Sequence, residues 1–217
     1  MLMENLCKPR QDAYDKLGPR VVKALEARHF EAWYFSTVEE AKEKVLSLIE
    51  KGKSIGWGGS YTLAETGILE AIKQGDYKII DRDSVKDKAE RKILQKQALI
   101  ADYFIMSANA ISEDGVIVNL DGNGNRAAAM VYGPDNVIVV AGMNKVCKTV
   151  DDAVIRTRTI AAPVNAQRFD IKTPCKQTGS CANCKSPDSI CSSMVISRLS
   201  FPAGKIKVIL IGKDLGF

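Results

Sequence analysis

The chain has 217 residues, a formal charge of +5, 46% hydrophobic residues and 26% charged residues. This is the make-up of a folded globular protein and excludes a disordered or fibrous chain. Lysines and arginines lie scattered among acids, which argues against a nucleic-acid stripe and leaves a mild positive field suited to anionic ligands.

Residues 1–28 read as an N-terminal helical segment, with Leu17, Val21 and Leu25 on its apolar stripe and Gly18-Pro19 expected to break or kink it. Residues 29–217 then read as one α/β domain. Phe30 to Phe35 is a strand, and Thr37 offers an N-cap to an amphipathic helix carrying Val38, Ala41, Val45 and Ile49, closed by Gly52. Ser54 to Trp57 is a brief strand, and the following helix carries Ala64, Ile68 and Ile72 and stops near Gly75. After a strand ending at Ile80, a long polar helix spans Asp83 to Ala101 with Ile93, Leu94 and Ala98 inward.

Three apolar strand-like runs follow, Tyr103–Met106, Val116–Leu120 and Val137–Ala141, each ending in small and polar residues. Asp114-Gly115 marks a tight turn between two of them, so a hairpin is expected within an otherwise parallel sheet. Val150 to Ala162 reads as a helix stopped by Pro163, a loop rich in Cys, Gly, Ser and Pro covers 173–193, and strands near Met194–Leu199 and Ile206–Ile211 close the chain. The alternation predicts a three-layer α/β/α fold with a largely parallel sheet.

Strands that stop at Gly, Asn and charged residues build ligand crevices at one sheet edge. Gly58-Gly59-Ser60 joins a strand to a helix N-terminus, where free N–H groups, Ser60 and Thr62 favour an anion; the alternative is a plain turn with a serine cap. Glu65 falls one helical turn inside. Asp121-Gly122-Asn123-Gly124-Asn125-Arg126 lacks the ligand pattern of a calcium loop, but Asn125 and Arg126 offer donors to a carboxylate or phosphate. With Asn109, Asp121, Gly122, Gly142, Asn144 and Lys145 they form the expected ligand set. Glu65, Glu113 and Asp114 are the available bases, the last two also reading as a solvated hairpin tip.

Asp102 to Gly115, Leu120 to Arg126, Val140 to Lys145 and Arg156 to Ala166 together resemble the signature of the LUD-domain, or lactate-utilization, family. The resemblance extends to Gly58-Gly59-Ser60. It implies a fold similar to sugar-phosphate isomerases, glucosamine-phosphate deaminases and CoA transferases. It also implies a role in oxidising L-lactate alongside iron–sulfur partner proteins, and it identifies no catalytic residue.

Cys175, Cys181, Cys184 and Cys191 are spaced by five, two and six residues. Four thiolates with a C-x-x-C pair suit zinc or an iron–sulfur cluster, and spacing does not separate these; free thiols are the other reading. Cys147 is expected to be inert packing and His29 structural or solvent-facing, while Arg156 and Arg158 read as a solvated helix face, contact with a partner or substrate being the alternative. No apolar run approaches the roughly 18 residues needed to span a bilayer, and Met1–Arg10 has no secretory leader pattern, which points to the cytoplasm. The expected function is a component of a lactate or 2-hydroxy-acid oxidation system that binds a small organic anion. The alternatives are a sugar-phosphate isomerase or CoA-transferase-like enzyme, and a non-catalytic assembly or electron-relay subunit.

Overall fold

The structure is a computed structural model and describes residues 7–217; the start of the expected leading helix and most of the leader reading fall on residues 1–6, outside it. The elements are α1 (Lys8–Glu26), β1 (Glu31–Phe35), α2 (Val38–Ser47), β2 (Ser54–Trp57), α3 (Tyr61–Glu65), α4 (Ile68–Gln74), β3 (Lys78–Ile80), α5 (Lys88–Gln97) and β4 (Tyr103–Met106). They continue with β5 (Ala110–Ser112), β6 (Ile117–Asp121), α6 (Asn125–Val131), β7 (Asn136–Gly142), β8 (Val146–Cys147) and α7 (Val150–Arg156). The last are α8 (Ala162–Ala166), α9 (Pro174–Thr178), β9 (Ser193–Ser197) and β10 (Ile206–Ile211).

Six strands form one parallel sheet in the order β1-β10-β7-β4-β2-β3. Its central strands are apolar on both faces because helices cover both. Val137, Val139 and Ala141 of β7 turn toward Val21 and Leu25 of α1 and Met130 of α6. The alternating residues Ile138 and Val140 turn toward Val45 of α2 and Leu63, Ile68 and Ile72 of α3 and α4. This is the expected three-layer α/β/α arrangement. The hairpin is also present, inserted between β4 and β7 in sequence, but it does not join the parallel sheet. β5 and β6 instead form a second, four-stranded sheet in the order β8-β5-β6-β9, backed by Ala153 of α7. Gly115 at its tip sits at φ +85°, where an added Cβ would lie 2.7 Å from the backbone of Ala24 in α1.

Three local expectations change. The helix α1 runs through Gly18-Pro19 unbroken; Gly18 is there because the ring of Tyr34 occupies the space a Cβ would need. The helix after Ser60 divides into α3 and α4 at Gly67, which adopts φ +65°. Pro163 does not stop its helix. The backbone from Thr157 to Ala161 widens into a π turn, with Ala162 donating to the Thr157 carbonyl. That wider ring relieves the clash a proline makes with an α-helical carbonyl one turn back.

The strand order reverses between β4 and β2: the chain leaves β2 toward β3, and later leaves β4 in the opposite direction. The loops at the carboxyl ends of these two strands therefore diverge, which opens a crevice where open α/β sheets bind ligands.

Candidate functional site

The Lys145 side chain lies at the base of that crevice. Lys145 is 2% exposed, and its Nζ donates to Thr62 Oγ1 and Ser107 Oγ, both at 2.9 Å. Thr62 follows β2, Ser107 follows β4 and Lys145 follows β7, so three adjacent strand ends converge on one amine. Among the described residues no carboxylate forms an ion pair with it. Burial removes the water that would solvate an ammonium, and Arg156 and Arg126 repel its charge; Glu65 opposes them more weakly. The result is an amine whose pKa falls to about 7.

Above Lys145 the crevice encloses about 830 Å³. It gathers Gly59, Ser60, Asn109, Asp121, Gly122, Asn125, Arg126 and Lys145 from the expected ligand set. The roles inside this group differ from the simplest reading. Asp121, 7% exposed, accepts from the N–H groups of Arg126 and Ala127 at 2.9 and 3.0 Å and from Arg126 Nε at 3.1 Å. It thereby occupies the N-terminus of α6 that was expected to receive an anion. Arg126 also donates to the Leu120 carbonyl, so much of its guanidinium braces the loop. Asn109 accepts from Leu120 N–H at 2.9 Å, tying the end of β4 to β6.

The glycine turn has a reason of its own. Neither Gly58 nor Gly59 has a positive φ. A Cβ on Gly58 would lie 2.7 Å from the stem of Arg126, and one on Gly59 would lie 2.5 Å from Nη2 of Arg82. The glycines admit two arginine side chains to the crevice wall. Ser60 caps α3 by accepting from Leu63 N–H at 3.2 Å and keeps its own hydroxyl proton to donate. With Gly58, Gly59 and Tyr61 it also borders a neighbouring recess of about 410 Å³.

Other expected residues hold the C-terminal tail. Asn144 Oδ1 accepts from Leu215 N–H at 3.1 Å, and Glu65 accepts from Gly216 N–H at 2.6 Å. Gly142 has no room for a side chain, its Cβ position lying 2.6 Å from the Lys213 carbonyl. Glu113 pairs with Lys148, and Asp114 with Arg28 and Ser112, at the hairpin tip. None of these three acids lines the crevice.

A model of the LUD domain matches residues 18–211. The chain belongs to the LUD-domain family, a family linked in general to lactate utilization. No curated protein matches it. Among solved structures it is similar to a DUF162 family protein from Deinococcus radiodurans, at 12% identity and a TM-score of 0.52, over 91% of this chain and 97% of that one. That likeness concerns the fold. Weaker alignments reach eIF2B beta from Chaetomium thermophilum (16% identity, TM-score 0.37, 54% of this chain and 45% of that one) and ribose 5-phosphate isomerase from Plasmodium falciparum (15% identity, TM-score 0.29, 51% and 52%).

In this LUD domain several cations take a different place from the one their local sequence suggests. Arg156, expected on a solvated face, is 9% exposed and donates to the carbonyls of Asn144 and Asn109 at 3.1 and 2.6 Å, locking two site loops together. Arg158 does remain outward, on Asn183. The expected scatter of charge is incorrect in space. Arg82, Arg126, Lys145 and Arg168 line the crevice along with Lys88, Arg91, Lys92 and Lys96 of α5, against the single acid Asp121. Ile93, expected to face inward, is 56% exposed, because α5 turns its cationic face to the crevice.

The cysteine loop forms one crevice wall through Ser189 and Ile190, with Ile190 packed over Gly122. None of the six cysteines forms a disulfide. Burial pushes the Cys191 thiol up, and the charges of Cys175, Cys181 and Cys184 push it further. Among the described residues no three His, Cys, Asp or Glu side chains form a ready metal shell. Burial raises the Cys147 thiol too, consistent with inert packing. His29 occupies a left-handed turn at φ +64° past the end of α1. No helix among the described residues is long and apolar enough to cross a membrane.

The lowered Lys145 value fixes a pH effect. Between about 7 and the ordinary 10.5, the unfolded chain carries a proton on this amine that the folded chain has lost. Stability therefore rises with pH through that window as the penalty for burying an ammonium fades. Urea unfolding of the wild type and Lys145→Met across that window checks this. The wild type should gain stability relative to the variant as pH rises, and a constant difference would contradict it.

Proposed function

We propose that this LUD-domain chain is a cytoplasmic component of a lactate or related 2-hydroxy-acid utilization system, and that it binds its organic acid with the functional end at Lys145. The observation that carries this reading is a buried amine with two hydroxyl partners and no carboxylate, at the base of a cation-lined crevice. Protonated, the amine is a counter-ion for a carboxylate. Neutral, it can accept the proton of a 2-hydroxyl group, and a pKa near the working pH suits that exchange. Oxidation of the hydroxyl carbon also needs an electron acceptor, the role we assign to iron–sulfur oxidoreductase partners.

The CoA-transferase-like alternative loses support because Glu65 is engaged by the C-terminal tail and Glu113 and Asp114 by the hairpin tip, none of them lining the crevice. An isomerase-like reaction would fall to Lys145 as the base. The electron-relay reading rests on Cys175, Cys181, Cys184 and Cys191 as the seat of zinc or an iron–sulfur cluster. The mutual electrostatic influence of these thiols supports it. Without a ready shell, metal uptake would require the loop to rearrange.

Calorimetric titration with L-lactate and pyruvate tests the acid site. Affinity should fall as pH rises through about 7, by up to about tenfold per unit, as the cationic form disappears. Lys145→Met should lose both the binding and its pH dependence; binding that is flat from about pH 6 to about 9 would refute the anchor. Zinc and iron analysis of anaerobically purified protein tests the thiol loop. Bound metal that is lost in Cys181→Ser/Cys184→Ser is expected, and metal-free protein would remove that part of the reading.

A further inference from the structure

We propose that the outer half of the crevice is a subsite for phosphate groups, held by the cation row of α5 together with Arg82, so that the ligand is a phosphate-bearing organic anion whose acid end reaches Lys145. This deepens the reading above and rests on it only for the Lys145 end.

Size is the first argument. A crevice of about 830 Å³ lies within the roughly 300–1,000 Å³ that encloses a drug-sized ligand. A three-carbon acid would leave most of it empty.

Charge placement is the second. Lys88, Arg91, Lys92 and Lys96 recur at helical spacing on one face of α5, and all four line the crevice. Like charges one turn apart destabilise a helix. Among the described residues only Arg91 of this row has an acidic partner, Asp83. The one acid lining the crevice, Asp121, is already held by Arg126. An arriving anion would therefore meet cations with few competing partners.

Arg82 is the third argument, and it is independent of the row. Its side chain is 12% exposed and lines the crevice with Nη2 beside Gly59, and its ion pair to Asp83 is a long one, 3.6 Å from the buried Nε. That pair leaves the two Nη groups to donate to an arriving phosphate oxygen. Phosphate fits this group better than a second carboxylate does, since it offers more oxygens and more charge to several cations at once.

Calorimetric titration of the full chain at constant ionic strength tests the subsite with ADP, ribose 5-phosphate, inorganic pyrophosphate and a single-stranded oligonucleotide series. The variant is Lys92→Glu/Lys96→Glu, both on the exposed side of α5, with circular dichroism to confirm folding. The expected result is saturable binding of a phosphate probe that is weakened about tenfold or more by the charge reversal. Tighter binding of ADP or ribose 5-phosphate than of pyrophosphate supports the organic ester, whereas pyrophosphate binding as tightly as either overturns that part. Phosphate binding with no lactate or pyruvate binding would refute the acid anchor and keep the subsite. The subsite is overturned if phosphate probes fail to bind, if charge reversal has no effect, or if affinity grows with oligonucleotide length.

Discussion

An amine withdrawn from water with only hydroxyl groups to receive it constrains the rest of this structure. An unpaired ammonium in a protein interior is costly, so Lys145 must either lose its proton or be supplied with acceptors. Thr62 and Ser107 supply them from the ends of β2 and β4, which works only because the sheet places β4 between β2 and β7. The C-terminal tail completes the enclosure. Asn144 and Glu65 hold Leu215 and Gly216, and the Cβ position of Gly216 lies 3.4 Å from Nζ. Residues that looked like ligand-binding groups are needed to keep the lysine dry.

The arginines extend the same logic outward. Arg156 fastens the loops after β4 and β7, and Arg126 fastens the loop after β6 to Asp121. Both also repel the Lys145 charge, so the braces of the site are part of what lowers its pKa. Gly58 leaves space for the stem of Arg126 and Gly59 for the guanidinium of Arg82, which couples a turn in the sequence to the electrostatics of the crevice. Because the crevice carries many cations and one engaged acid, an anion entering it is drawn toward an amine that can exchange a proton near neutral pH.

Much of this fold was readable from the sequence because it depends on local periodicity. The alternating strands and helices, the Thr37 cap and the Asp114-Gly115 turn are signalled by neighbouring residues. The misreadings share a cause. Pro163 carries the local signal of a helix stop, but the π turn that accommodates it is set by packing, not by the proline's neighbours. Arg156 read as exposed because nothing within its helix reveals that two loop carbonyls lie beside it. The α5 cations were visible at helical spacing yet looked like an ordinary solvated face until the fold set that face against the crevice. Asp121 and Asn144 do stand at strand ends, but only the folded chain engages Asp121 with the start of α6 and Asn144 with the C-terminal tail. The LUD-domain resemblance carried the architecture and was silent on these partners.

The central claim is that one lysine of this chain titrates near neutral pH because it is buried without a carboxylate. Nuclear magnetic resonance of protein labelled with carbon-13 at the lysine ε position measures this directly, with Lys145→Met assigning the signal. The account predicts an ε resonance that titrates near 7 and disappears in the variant. If every lysine titrates near about 10.4, as in model peptides, the account is wrong.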